Sequence, residues 1–358
     1  MYSIVEYHKP PRGLVVNLGS CIIVKKIRGT DMNLQQLMTK IGKKLLGFII
    51  AMIILSIIAF IFARLAPGDP LQSFYGDDVE KMTNAELNAA RHRLGLDDSL
   101  VVQYVRWLGQ ALAGNFGLSL KYKTSVQEVV GPLIGNTLVL GGVAYLLVFA
   151  LAILCAILCA IHEDSLIDKA ICKIGTILYY IPPFWLGVVL VLIFSVNLKM
   201  LPSSGAYDPG MQNDISNRIY HMILPLILMI TSHLWYYAYM IRNKLLDEIR
   251  KDYVLLAKSK GLNKREIILK HCLRNVAPTI VSIMAISIPH VLSGTYIAES
   301  VFNYPGIGSL SVESAKYHDY NLLMILVLIT GSLVVISSII AQLINEIIDP
   351  RMKEVKEN

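Results

Sequence analysis

Residues 242–275, RNKLLDEIRKDYVLLAKSKGLNKREIILKHCLRN, carry ten Lys and Arg against Asp247, Glu248, Asp252 and Glu266, and stand between two long apolar stretches. A basic connection framed by apolar runs is the pattern of a loop kept on the cytoplasmic side of a membrane. Working outward from it, six segments reach the roughly 20 apolar residues needed to cross about 30 Å of hydrocarbon as a helix. They are Ile41–Ala63, Thr137–Ile161, Ala170–Leu198, His221–Ile241, Val276–Ala298 and Leu322–Ile348. The expected fold is an all-α polytopic membrane protein with six transmembrane helices. Composition agrees: of 358 residues 54% are hydrophobic and only 16% charged, with mean hydropathy +0.55. Soluble domains carry about a quarter charged residues, so a soluble enzyme is excluded, and so much apolar content excludes disorder. The net charge of +7 is broken up by the apolar stretches and does not point to a nucleic-acid partner.

Orientation follows the basic residues. Lys25, Lys26, Arg28, Lys40, Lys43 and Lys44 precede the first span, and Arg351, Lys353 and Lys356 follow the last. The 199–220 connection holds only Lys199 and Arg218, and 299–320 only Lys316. Both termini and the 242–275 loop are therefore expected in the cytoplasm, with the 64–136 loop outside. Residues 1–31 read as a poorly ordered N-terminal extension, and 32–358 as the membrane domain. Pro182-Pro183, Pro225 and Pro289 fall inside spans three, four and five. Intramembrane proline requires neighbouring helices to satisfy the freed carbonyls, so these spans are expected to be kinked within a bundle. In the outer loop, Ala66-Pro-Gly-Asp-Pro70 reads as a stiff turn. Asp97 or Asp98 is expected to cap a short helix carrying Leu100, Tyr104, Trp107 and Leu108, with the aromatic pair as lipid-headgroup anchors.

Within the basic loop, Asp252–Gly261 reads as a two-turn helix. Asp252 suits an N-cap, Gly261 the left-handed C′ position, and Lys258 and Lys260 complement the negative helix end. Asn263 and Glu266 then form a capping-box pattern for the helix entering span five. A short capped helix here could rest on anionic lipid or dock a soluble partner, with Ala257 and Gly261 small enough for close approach.

Other candidates are few. The five cysteines form no CxxC pair and no Cys/His cluster of metal-ligand spacing, and Cys155 and Cys159 read as small packing residues. Ionisable groups within spans are costly and face protein or water, which makes His233, His290 and Glu299 the candidates for a translocation path. A neutral imidazole bonded to a neighbouring helix is the plainer reading of His233, and of His290 likewise. Tyr236, Tyr237 and Tyr239 read as an aromatic belt.

DYVLLAKSKGL (252–262), followed by KHCLRNVAP (270–278), resembles the coupling segment of ABC importer permeases of the oligopeptide, dipeptide and nickel type, OppB/DppB-like. Further stretches resemble the same family in order: Arg64–Pro70, Leu94–Asp97, Gln103-Tyr104, Trp107-Leu108, Asn115–Ser119, Ile181–Gly187, Leu201-Pro202, Glu299–Phe302, Tyr304–Gly308, His318–Tyr320 and Asp349–Arg351. Together they cover about residues 35–352. Two departures stand out. Leu255-Leu256-Ala257 replaces the Glu-Ala-Ala of importer permeases at large, as is usual in this subfamily. Asn115 stands where the family more often has Asp.

The resemblance implies the ABC type I importer permease fold and a chain that does no covalent chemistry. It implies a second homologous permease subunit, two ATP-binding subunits that bind the ATP, and an extracytoplasmic substrate-binding protein. The implied ATPase-coupling helix carries Asp252, Tyr253, Ala257, Lys258 and Gly261, and the cargo would be peptides, nickel or other metal chelates. No catalytic, cofactor or metal-binding residue is implied in this chain. A membrane-embedded enzyme would need a motif such as HExxH or GxSxG, and neither occurs. A secondary transporter or channel would account for six spans but not for a docking helix. Walker A is also absent, so ATP must be handled elsewhere.

Overall fold

The computed structural model describes residues 34–65, 71, 75–119 and 121–348. The N-terminal extension, the Ala66–Pro70 turn and the basic tail with Asp349–Arg351 lie outside the described residues. The chain divides into two units, residues 1–49 and 50–358. The described part of the first is the opening of helix α1 (Leu34–Leu65). Among the described residues, the second holds the rest of α1, a 3-10 helix (Gly76–Lys81) and ten further helices: α2 (Asn84–Leu94), α3 (Leu100–Leu112), α4 (Val126–Ile161), α5 (Leu166–Tyr180), α6 (Pro183–Asn197), α7 (Ile215–Ile249), α8 (Asp252–Ser259), α9 (Lys264–Val301), α10 (Ile307–Lys316) and α11 (Tyr320–Ile348).

Five of these helices are long and apolar enough to cross a membrane, and α5 with α6 makes a sixth if the pair is one span. Here the expectation of a single kinked helix over 170–198 is corrected, because α5 and α6 meet at 98°. The cause lies in Ile181-Pro182-Pro183. Ile181 (φ −73°, ψ 126°) and Pro182 (φ −59°, ψ 127°) are both extended, as residues that precede proline prefer. Two prolines in succession also remove two amide donors, and Pro183 restarts the helix at its first turn. The proline-containing α7 and α9 instead remain single helices.

The core sits between α4 and α7. Leu140, Ala144, Val148, Ala152, Ala156 and Ala160 recur every fourth residue along α4, and all are essentially inaccessible. This narrow stripe lets α7 approach closely, the usual means by which helices associate in lipid. Leu224, Leu228, Ile241 and Leu245 of α7 are buried in the same core. At Gly141 an added Cβ would stand 2.9 Å from Leu292 and 3.1 Å from Thr295, so α9 packs tightly there too. Since α7 and α9 each run from one end of the bundle to the other, one end carries residues 242–275 (the basic end) and the opposite, far end carries 199–214 and 302–319.

In the 64–136 loop, α2 is opened by a Thr83–Glu86 capping box and closed by Gly95 in the left-handed conformation. Ser99, not Asp97 or Asp98, occupies the N-cap position of α3, and Asp98 pairs with Arg106 at 2.8 Å. Tyr104 and Trp107 rest on Phe60 of α1, with the Tyr104 hydroxyl 2.8 Å from that of Ser56. The α3 helix is thus fixed to the first span by an aromatic cluster.

At the basic end, Arg242 of α7 grips Asp168 of α5 with two parallel bonds, Nε to Oδ1 at 2.8 Å and Nη2 to Oδ2 at 2.6 Å. Their side chains are 16% and 3% exposed. Removing one partner of such a buried pair costs about 3–5 kcal/mol, whereas replacing both with apolar groups is often neutral. Arg242→Met should therefore lower the thermal midpoint of the purified protein markedly, and Asp168→Leu/Arg242→Met should recover most of the loss.

Candidate functional site

The α8 helix starts one residue earlier than its sequence suggests. Lys251 is its N-cap and makes no side-chain cap, so Asp252 lies in the first turn and not at the cap. There its charge still complements the helix N-terminus. The other end forms as expected. Gly261 has φ +81°, its N–H donates to the Lys258 carbonyl at 2.9 Å, and the Leu262 N–H donates to that of Ala257 at 3.3 Å. That bond pair is a Schellman motif. The Asn263–Glu266 capping box is present and starts α9, whose residues Ile267–Cys272 form a wider π-helical turn.

The two faces of α8 differ. Val254 and Ala257 are buried in the main core with Ile267, Ile268 and Cys272. Leu255 and Leu256 point outward, 63% and 58% exposed, beside exposed Asp252, Lys258, Lys260 and Gly261. Ala257 is thus small because α8 seats against its own chain.

What holds that seat is Glu248, which sequence reasoning counted only as a charge. Its carboxylate is buried at the end of α7. Oε1 accepts from the Tyr253 hydroxyl of α8 at 3.0 Å and from the Asn275 amide of α9 at 3.1 Å, while Oε2 pairs with Lys251 at 2.5 Å. The Tyr253 hydroxyl also lies 3.4 Å from Cys272 Sγ. Burial pushes the Tyr253 hydroxyl well above its usual range, so it stays protonated and donates. Glu163, in the α4–α5 turn, reaches Arg250 at 3.3 Å and Lys264 at 3.6 Å. Tyr253 thus bonds α8 directly to both α7 and α9. The only sequence signal was an acidic pair, Asp247-Glu248, at the end of an otherwise basic helix.

Midway along the bundle, His233 and His290 come together, with ring centroids 5.0 Å apart. His233 Nδ1 bonds the Met229 carbonyl of its own helix at 2.8 Å, and its ring lies over Gly294, where an added Cβ would come within 2.5 Å. His290 Nδ1 bonds the Tyr237 hydroxyl at 2.9 Å. Both histidines line a cavity of about 270 Å³ with Ser232 and Ser293. Tyr237 is buried in the core, while Tyr236 and Tyr239 are exposed, so the three tyrosines do not form one belt.

At the far end, Glu299 is fully enclosed. It accepts from the Thr137 hydroxyl at 2.7 Å and from the N–H groups of Gly308 and Ser309 at 2.7 and 3.0 Å. The latter two open α10, so the carboxylate sits on a helix N-terminus that favours negative charge. Any Cβ at Gly306 would fall 2.3 Å from this carboxylate, which explains the glycine in Tyr304–Gly308. A second carboxylate works the same way nearby. Asp319 accepts from Ser119 Oγ at 2.5 Å and from the N–H of Leu322 in the first turn of α11 at 3.2 Å. Beside these latches lies a cavity of about 870 Å³ bordered by Tyr122, Tyr207, Asn303, Glu313 and Lys316.

Each hydrogen bond to a charged group contributes about 1.5–3 kcal/mol. Glu248→Ala should therefore speed amide hydrogen exchange over residues 252–262 by roughly tenfold or more, leaving the centre of α4 unchanged. Asn275→Ala, which removes one donor, should have a smaller effect in the same segment.

Comparison with known proteins accords with this geometry. The family model described as "Binding-protein-dependent transport system inner membrane component" matches residues 152–354, and its N-terminal companion matches 37–123. The oligopeptide transport system permease protein AppB of Bacillus subtilis (strain 168) is 33% identical over 300 residues, covering 84% of this chain and 94% of that protein. The metal-staphylopine import system permease protein CntB of Staphylococcus aureus (strain NCTC 8325 / PS 47) is 28% identical, covering 85% and 94%. The dipeptide transport system permease protein DppB of Escherichia coli (strain K12) is 27% identical, covering 87% and 98%. Among solved structures, an inward-facing MetNI methionine ABC transporter chain aligns with TM-score 0.51 at 15% identity, over 62% of this chain and 97% of that one. That likeness shows the fold. The chain belongs to the inner membrane component family of binding-protein-dependent transport systems, and is a cell-membrane permease subunit of an ABC importer, with ATP hydrolysis left to ATPase partners.

Proposed function

We propose that this chain forms half of a translocation pathway for peptides, with α8 as its ATPase-coupling helix. The other half is a second homologous permease, two ATP-binding subunits engage the pair, and an extracytoplasmic binding protein delivers cargo at the far end. Both termini and residues 242–275 then face the cytoplasm, in line with the basic residues there. The observation that carries this reading is the two-sidedness of α8, with Leu255 and Leu256 outward and Val254 and Ala257 locked inward. Exposed apolar side chains rimmed by Lys258 and Lys260 suit a protein groove, and the Glu248 junction carries movement of α8 into α7 and α9. Closure of the ATPases would in this way rock helices between two packed arrangements.

Peptide cargo is supported by the names of AppB and DppB. Metal-chelate cargo, nickel included, is a second reading, favoured by the His233–His290 pair in its cavity and by the name of CntB. Glu299 acts in this scheme as a latch positioning α10 near the cargo entrance, because its oxygens are occupied by Thr137, Gly308 and Ser309. Glu299→Gln should accordingly slow uptake at unchanged subunit assembly.

Gly261 has open space around its Cβ position but a left-handed backbone. Gly261→Ala should thus cost only about 1–2 kcal/mol and keep transport. Gly261→Leu adds bulk on the docking side and should abolish coupled uptake at normal membrane abundance; wild-type uptake by this variant would remove α8 from the coupling role. Uptake of a labelled tripeptide and of radioactive nickel, with and without histidine, in a strain lacking the gene separates the cargoes. Gene-dependent tripeptide uptake is expected, and gene-dependent nickel uptake alone would establish the second reading.

A further inference from the structure

The α4–α5 turn brings together three side chains whose sequence spacing matches no metal motif: Cys159 of α4, and Asp168 and Cys172 of α5. One ligand atom of each lies within 4.8 Å of the other two. Cys159 and Asp168 are buried and Cys172 is half-buried, with Cys172 Sγ 3.6 Å from Asp168 Oδ1. Cys155, one turn along α4, lines an adjoining cavity of about 310 Å³ with Cys159, Cys172, Met240 and Arg242.

We propose that Cys159, Asp168 and Cys172 form a binding site for a thiophilic divalent cation of the zinc class. Two sulfurs and one carboxylate oxygen are a donor set that suits such an ion and not magnesium or calcium. Zinc–sulfur bonds of about 2.3 Å and zinc–oxygen bonds of about 2.0–2.2 Å place tetrahedral ligand atoms roughly 3.3–3.8 Å apart. The three atoms therefore need to draw in by about an ångström, and the cavity has room for a water as fourth ligand. Each thiol releases its proton to solvent as the ion enters.

Charge selects the valence. Two thiolates and a carboxylate are partly balanced by the Arg242 guanidinium, which bonds both Asp168 oxygens. A divalent cation completes the balance, whereas a monovalent one would leave net charge buried. Arg242 also orients the carboxylate, the usual task of a group behind a metal ligand. The bound ion would clamp α5 to α4.

The test uses the assembled transporter and Co²⁺ as the probe. Wild type should take up one cobalt that Zn²⁺ displaces and that shows thiolate-to-cobalt charge-transfer absorption in the near ultraviolet. Cys159→Ser/Cys172→Ser should lose that absorption. No such absorption in wild type, or its survival undiminished in the double variant, would leave the thiols as packing around an ion pair. Should the variant fail to assemble, wild-type membranes decide: Zn²⁺ should slow maleimide labelling of Cys172 at least tenfold, and equal labelling with and without Zn²⁺ overturns the site.

Discussion

Close approach of α4 and α7 is the constraint on which the remaining packing rests. Lipid offers no hydrophobic drive for one helix to leave it and join another, so contact has to come from shape. The small and medium residues from Leu140 to Ala160 supply that shape by recurring every fourth position, which keeps them on one face of α4. With α7 held there, its two ends become fixed points. The basic end presents Arg242 and Glu248 to α5, α8 and α9. The far end anchors the 201–208 loop through His221, whose ring nitrogens reach the Ser204 carbonyl and Asp208.

Buried carboxylates divide the labour between the two ends. From the end of α7, Glu248 reaches side-chain donors at the start of α8 (Lys251 and Tyr253) and on α9 (Asn275), so it resists separation of the three helices but tolerates their moving together. Glu299 and Asp319 instead accept backbone amides at the starts of α10 and α11, which fixes where those helices begin. One end is thereby made as a joint and the other as a frame. That division suits the proposed scheme, in which partners act at one end and cargo enters at the other.

Much of this was legible in the residues. Apolar length located the spans, and Gly261, Asn263 and Glu266 announced the end of α8 and the start of α9, because caps depend on local backbone geometry alone. The right-angle break at Pro182-Pro183 exceeds the kink that the prolines predict. Two prolines require an interruption, but its angle is set by what α6 packs against; Gly187, for instance, has Val301 within 2.7 Å of where its Cβ would be. The partners of Glu248, Asp168 and Glu299 were not legible, since Asn275, Arg242 and Thr137 lie 27, 74 and 162 residues away. Asp252 was misplaced by one position, a common error where an acidic residue suits both the cap and the first turn.

The outward pair Leu255 and Leu256 has a consequence for the life of the protein before assembly. If α8 is the docking helix proposed above, a chain without its partner displays two large apolar side chains on a helix that the Glu248 bonds hold in place. Such a surface invites chaperones and membrane proteases. Under the docking role proposed for α8, the abundance of this subunit is expected to follow the supply of its ATPase.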